Sequence, residues 1–91
     1  MNPHARWDDK RDANEAAIVD ALRQAGASVQ RLTVIDLLVG YRGRTWLLEV
    51  KVPGKSWSQQ QIDWCDDWRG APVILVTSVE EALRAIGAGA L

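Results

Sequence analysis

Apolar residues fall at helical spacing early in the chain, where Ile18, Val19, Leu22 and Ala25 share one stripe. That spacing predicts a helix from about Asp12 to Ala25, stopped at Gly26, a residue type that favours helix ends. The period then shortens. Ser28 to Leu32 and Ile35 to Tyr41 read as strands, Arg42-Gly43 as a turn, and Thr45 to Val52 as a strand rich in Val, Leu and Trp. Pro53-Gly54 breaks that strand, and Ser58 reads as the N-cap of a helix reaching about Trp68 and closed by Gly70. Val73 to Val76 reads as a short buried strand. Ser78, with Glu81 three residues on, forms a capping box for a last helix through about Ile86. The order is αβββαβα, an α/β sandwich around a mixed sheet.

No repeat, low-complexity tract or interior linker divides the pattern, so residues 1–10 read as a flexible polar tail and residues 11–91 as a single domain. A domain of this size buries only about 60% of the surface its unfolded chain exposes, and its stability margin is thin. Apolar residues at 47% and charged residues at 25% exclude disorder. No apolar run approaches the roughly 18 residues that mark a membrane span. The polar N-terminus lacks the apolar core of a secretory signal, and the single cysteine, Cys65, has no partner for an intrachain disulfide; a reducing cytoplasm fits both. Cys65 stands among tryptophans at helical spacing and reads as a packed thiol. The one histidine, His4, falls in the tail, which removes metal sites and catalytic triads built on several histidines.

The hairpin turn fixes a register with chemical consequences. If Arg42-Gly43 is a two-residue turn, Tyr41 faces Arg44 and Asp36 lies opposite Glu49. Opposed residues have Cβ atoms about 4.5–5.5 Å apart, and Lys51, two residues beyond Glu49, points to the same face. Leu38 and Leu47 share that face, while Leu37, Val39, Trp46, Leu48 and Val50 occupy the other, so the sheet reads as covered on both sides. Two carboxylates so placed repel, and a cation between them relieves the repulsion. Lys51 supplies part of that charge and a divalent ion would supply more. Hard cations such as Mg²⁺ take oxygen ligands, so Asp36, Glu49 and a backbone carbonyl, that of Val50, would make such a site. With Lys51 positioning or helping to deprotonate an attacking water, the set suits phosphodiester hydrolysis without histidine.

Further polar residues bear on the site. Glu15 precedes Leu22 by seven residues, about 20° short of two helical turns, so it lies on the apolar stripe; it either snorkels outward or faces a polar site. Trp57, Gln61, Trp64 and Trp68 form one stripe, whose tryptophans read first as packing against the sheet and second as surfaces for DNA bases. Gln61 could hydrogen-bond a water, a phosphate or Glu49, or be a satisfied amide at the core's edge. A net charge of −1 and a pI near 5.7 exclude nucleic-acid binding by bulk attraction. Any such binding is local: Arg42, Arg44, Lys51 and Lys55 are close in the chain and Arg31 is a further candidate, although each alone also reads as a solvated surface charge.

Asp36 followed by Glu49-Val50-Lys51 on the next strand resembles the D…ExK signature of PD-(D/E)xK nucleases. Asn14-Glu15 in the opening helix, the Leu37-Leu38-Val39-Gly40 strand, and Ser58 three residues before Gln61, with a Trp and a Trp-Arg-Gly following, resemble VRR-NUC domains and small phage Holliday-junction-resolvase-like proteins. The resemblance runs from about Arg11 to Gly87. It implies a restriction-endonuclease-like sandwich with a central mixed four-stranded sheet flanked by helices. It also implies a Mg²⁺- or Mn²⁺-dependent endodeoxyribonuclease acting on branched or flapped DNA, encoded by a phage or a bacterium. Asp36 and Glu49 would bind the metal, Lys51 would be the catalytic lysine, Glu15 would support the metal shell, and Gln61 would be the accessory polar residue. One departure stands out: the family often carries Gly-x-Pro before the aspartate, and here Thr33-Val34-Ile35 shorten the connection.

Glu-x-Lys alone is commonly a surface salt bridge worth about 0–1 kcal/mol; the weight rests on its conjunction with element order, register, Glu15 and Gln61. A second reading is a non-catalytic module of the same fold that binds nucleic acid or a protein. A third, a host-directed inhibitor or antitoxin-like binder, leaves the acids without a purpose. Five tryptophans in so small a domain suggest an apolar homodimer or higher homo-oligomer interface.

Overall fold

A computed structural model of the chain describes the backbone of residues 3–89 and the side chains of residues 14–89. The elements run α1 (Pro3–Gln24), β1 (Ser28–Arg31), β2 (Leu37–Tyr41), β3 (Arg44–Val50), α2 (Gln59–Asp67), β4 (Ile74–Val76) and α3 (Val79–Ala85). The fold is α/β, with three helices around a four-stranded mixed sheet in the restriction-endonuclease-like manner. No helix of the described residues is long and apolar enough to cross a membrane.

The first helix differs from the sequence expectation. It starts at Pro3 rather than near Asp12, so residues 3–10, expected as a tail, continue it. Proline is tolerated in a first turn, where its missing N–H would have no intrahelical partner, and no Gly or Pro interrupts residues 4–25. The side chain of His4 lies outside the described residues. At the other end Gly26 adopts φ 100°, Ala27 N–H donates to Leu22 C=O at 3.0 Å and Gly26 N–H donates to Arg23 C=O at 3.0 Å. This paired closure depends on the left-handed glycine.

The sheet order is β1-β2-β3-β4, antiparallel except for the parallel β3–β4 pair. Arg42 (φ 50°) and Gly43 (φ 78°) close the β2–β3 hairpin in two residues, and Tyr41 pairs with Arg44 as the turn requires. One face carries Leu37, Val39, Leu48 and Val50, which pack with Val29, Val76, Ile18, Val19 and Leu22 of α1, and Ala82 and Ile86 near α3. This is the core.

The opposite face is less fully covered than the alternation predicts. Leu47 and Glu49 are buried there, but Leu75, the partner of Glu49 on β4, is 39% exposed. Gln61 is the buried residue of α2. The tryptophans of the α2 stripe, Trp57, Trp64 and Trp68, expected to pack against the sheet, contribute nothing to the buried core cluster. Trp57 and Trp64 are half-buried, Trp68 is exposed, and the Trp64 and Trp68 rings stack on each other at 5.1 Å. Residues four apart on a helix are neighbours, so this stripe satisfies part of its apolar surface within itself.

Of the two later caps, only the second departs from the sequence expectation. Ser58 and Gln61 form a reciprocal capping box on α2. At α3, Ser78 accepts from Glu81 N–H at 3.1 Å, but the Glu81 carboxylate reaches back one residue further than expected, to Thr77 N–H at 2.6 Å and Thr77 Oγ1 at 2.7 Å. The threonine offers two donors where Ser78 N–H would offer one.

Candidate active site

Asp36 stands at the mouth of β2, one residue before the ladder begins at Leu37 and Leu48. The connection from β1 is tight, closed by Leu32 N–H donating to Asp36 C=O at 2.7 Å, and Ile35 within it is buried. Thr33-Val34-Ile35 therefore bring Asp36 opposite Glu49 despite the shortened segment. Asp36 N–H donates to Glu49 Oε1 at 3.1 Å, and Val50 N–H donates to Asp36 Oδ2 at 2.9 Å. Each acid thus bonds the backbone of the other's strand. In an antiparallel ladder the N–H and C=O of one residue face the same neighbour, so the Val50 carbonyl turns toward the Asp36 side as well.

Glu49 is fully buried. Its Oε2 accepts from Gln61 Nε2 at 2.6 Å and lies 3.2 Å from Lys51 Nζ. Burial, followed by the charge of Asp36, raises the Glu49 carboxyl above the ordinary carboxylate range; the contacts with Lys51 and Gln61 act in the opposite direction. Lys51 is held at the end of β3 by its N–H, which donates to Val76 C=O at 3.0 Å, and its side chain is 13% exposed. The ammonium is therefore pinned between a buried acid and the surface.

Gln61 joins three parts of the molecule. Its Nε2 donates to Glu49 and to Val34 C=O at 3.2 Å, while its Oε1 accepts from Ser58 N–H at 3.1 Å. The amide that caps α2 is thus the one that touches the acid. Sequence reading missed Ser58 and the Val34 carbonyl as supports of the site. The Ser-x-x-Gln spacing carried the signal for Ser58, because it allows a capping box.

The remaining candidates are distributed around this centre. Arg31 pairs with Leu37 and so faces the α1 side, where its Nε lies 3.6 Å from Glu15 Oε2. Among the described residues no three of Asp, Glu, His and Cys form a group able to hold a metal, so Glu15 is not gathered into one cluster with Asp36 and Glu49. Lys55 follows β3 in an exposed turn, its N–H donating to Val52 C=O at 3.2 Å. Arg42 and Arg44 are exposed at the closed end of the hairpin, five or more residues along the strands from the acids, a separation of about 17 Å at 3.3 Å per residue. The local basic set therefore divides between two ends of the sheet.

The donor set fits a hard divalent cation. Magnesium is typically held by one or two carboxylates and keeps several waters, whereas structural zinc takes four Cys or His ligands. Asp36 and Glu49 supply two oxygen donors from adjacent strands, and their mutual repulsion is what a cation would relieve.

No protein-family model and no curated protein matches the chain. A solved structure described as a VRR_NUC domain is similar to it with a TM-score of 0.70 and 25% sequence identity, over 85% of this chain and 94% of that one.

Proposed function

We propose, from its likeness to a VRR_NUC domain, which supports the VRR-NUC family of the PD-(D/E)xK superfamily, that this chain is a metal-dependent endonuclease hydrolysing phosphodiester bonds in branched or flapped DNA. The nuclease fold is common to the family, and a nuclease domain implies DNA as partner. The observation that carries the catalytic reading is the convergence on Glu49 at one end of the sheet: its carboxylate accepts from Asp36 N–H and pairs with Lys51, while the Asp36 carboxylate accepts from the neighbouring Val50 N–H.

Asp36, Glu49 and the Val50 carbonyl would hold Mg²⁺ or Mn²⁺, which supplies charge stabilisation at the phosphate and eases deprotonation of the attacking water. Lys51 orients that water and offsets charge developing on the phosphate oxygens, held in place by its pairing with Glu49. Gln61 fixes the rotamer of Glu49, so the carboxylate is set before substrate arrives. Glu15 and Arg31 brace the α1 side of the same sheet end, and Lys55 offers a phosphate contact next to it.

A homodimer suits this chemistry, since two copies present two such centres to two strands. The exposure of Ile62, Trp68 and Leu75 on α2 and β4 supports it.

The test is cleavage of labelled linear duplex, flap and four-way-junction DNA with Mg²⁺ or Mn²⁺, comparing the wild type with Lys51→Ala and Glu49→Ala. Metal-dependent products should appear in the wild type and vanish in both variants. No cleavage of any substrate, with DNA binding intact in all three proteins, would replace this reading with the non-catalytic module. Light scattering at working concentration tests the dimer, and a strict monomer would remove it.

A further inference from the structure

The chain carries a second concave feature, away from the acids. At the closed end of the β2–β3 hairpin a cleft of about 210 Å³ is lined by Tyr41, Arg42, Arg44, Trp46, Ile86 and Gly87. Tyr41, Arg44 and Trp46 occupy the face of the sheet that α1 and α3 cover elsewhere. Here α3 has ended, its chain turning away at Gly87 with φ 81°. Strand β4 pairs only with Leu48, Glu49 and Val50, so β4 leaves the Arg44–Trp46 stretch of β3 unpaired.

Arg42 is placed here at a cost. Its φ of 50° is left-handed, a conformation that costs an L-residue about 1–2 kcal/mol and that Asn, Asp or Gly fill more cheaply in this type of turn. The guanidinium lies over the Tyr41 ring, 5.1 Å from its centroid, which holds it at the cleft. Arg44 stands beside it, directly paired with Tyr41. Two planar guanidiniums match phosphate oxygens, and an aromatic wall offers a stacking face to a base. The volume falls below the roughly 300–1,000 Å³ of pockets for larger ligands, so one flat ring fits and a stacked pair does not. Bases within a duplex are already stacked on both faces and cannot enter.

We propose that this cleft binds a single unpaired nucleotide of the DNA substrate, its base on Trp46 and its phosphate between Arg42 and Arg44. The inference rests on the reading of the chain as acting on DNA and deepens it. Arg42 and Arg44 lie about 17 Å along the sheet from the acids, and Trp46, about 10 Å away, stands on the opposite face of the sheet from Glu49, so the cleft makes no contact with the reacting phosphate. It selects DNA with a displaced or single-stranded segment over continuous duplex.

The experiment is fluorescence anisotropy without divalent metal, using a blunt duplex, the same duplex with a short oligothymidine tail, and the same tail built from abasic residues. The wild type should bind the thymidine-tailed duplex roughly tenfold more tightly than the abasic-tailed one, as expected for base–aromatic stacking. Trp46→Leu should abolish that ratio. Trp46 packs against the core, so an Arg42→Asn, Arg44→Gln double variant serves as the second probe. Asparagine suits the left-handed turn, and this variant should lower the ratio of tailed to blunt affinity while its melting temperature stays equal or rises. Equal affinity for thymidine and abasic tails, unchanged ratios in both variants, or no DNA binding by the wild type would each overturn the proposal. A tail preference that survives in a protein with no cleavage activity supports the cleft and removes the nuclease reading alone.

Discussion

Gln61 Nε2 donates to Glu49 Oε2 at 2.6 Å, and through this bond α2 is tied to the acidic pair. The same side chain closes the capping box with Ser58, so the start of the helix and the rotamer of the acid are set together. Gln61→Ala removes a donor from a fully buried carboxylate and withdraws partners from Val34 C=O and Ser58 N–H. Unmet buried polar groups cost about 1–3 kcal/mol, so urea unfolding should show a loss of that order together with slower cleavage. Ser58→Ala should cost about 1 kcal/mol through the cap and leave the Gln61–Glu49 bond in place, with a smaller effect on rate. Wild-type stability and rate in Gln61→Ala would sink the argument.

The hairpin register was legible because a two-residue turn leaves no freedom. Once Arg42-Gly43 is the turn, Asp36 must oppose Glu49, and the observed Tyr41–Arg44 pairing carries that through. Placement of Gln61 on the inner stripe of α2 was legible for a similar reason, since helical spacing reports a face. What periodicity cannot report is whether that face is covered. The α2 tryptophans share the stripe of Gln61, yet Trp68 lies 42% exposed, because the short helix rests on its amide more than on its rings. The exchange of bonds between Asp36 and Glu49 depends on side chains reaching across strands to backbone N–H groups, a choice among partners of similar energy that spacing does not encode. The retargeting of Glu81 to Thr77 is of the same kind.

The raised Glu49 carboxyl predicts an uncommon pH response in metal-free protein. Its pKa is higher in the folded state than the ordinary value of 4.5, from burial first and Asp36 second. The folded protein therefore holds this proton more tightly than the unfolded chain. The associated stability is full below the unfolded pKa and is lost as pH rises through the folded one. Differential scanning fluorimetry should show the wild type gaining melting temperature relative to Glu49→Gln as pH falls from neutrality toward 4.5. At neutral pH, Mg²⁺ or Mn²⁺ should raise the melting temperature of the wild type and leave Asp36→Ala and Glu49→Ala unmoved. A metal response preserved in those variants would place the cation elsewhere.

Glu81 predicts the opposite trend in a different window. Its carboxyl is held below the ordinary range by the hydroxyl and then the N–H of Thr77. A depressed folded-state pKa means that its contribution is present above the unfolded value and is lost as pH falls through the folded one. Carboxyl-carbon NMR titration should find Glu81 below the ordinary carboxylate range, and Thr77→Val should raise it. A Glu81 titration that Thr77→Val leaves unmoved would remove the bond from the solution structure.

Gly70 predicts a change confined to the aromatic pair. A Cβ built at this position would collide with the Trp68 indole at Cζ2 and Cε2. Trp68 in turn donates from Nε1 to Ala71 C=O at 2.7 Å and stacks on Trp64 with ring planes 22° apart. The atoms that a Cβ would meet belong to an exposed side chain and not to backbone, so in Gly70→Ala the ring is the part that yields. Displacing it forfeits a stack and a surface hydrogen bond, about 1 kcal/mol together. The far-ultraviolet circular dichroism couplet from two close indoles should weaken in Gly70→Ala and disappear in Trp68→Leu, with cleavage retained in both. A couplet unchanged by Gly70→Ala would mean that the ring does not sit over this glycine. Loss of DNA binding in Trp68→Leu would assign the exposed indole to the substrate instead of to its neighbour.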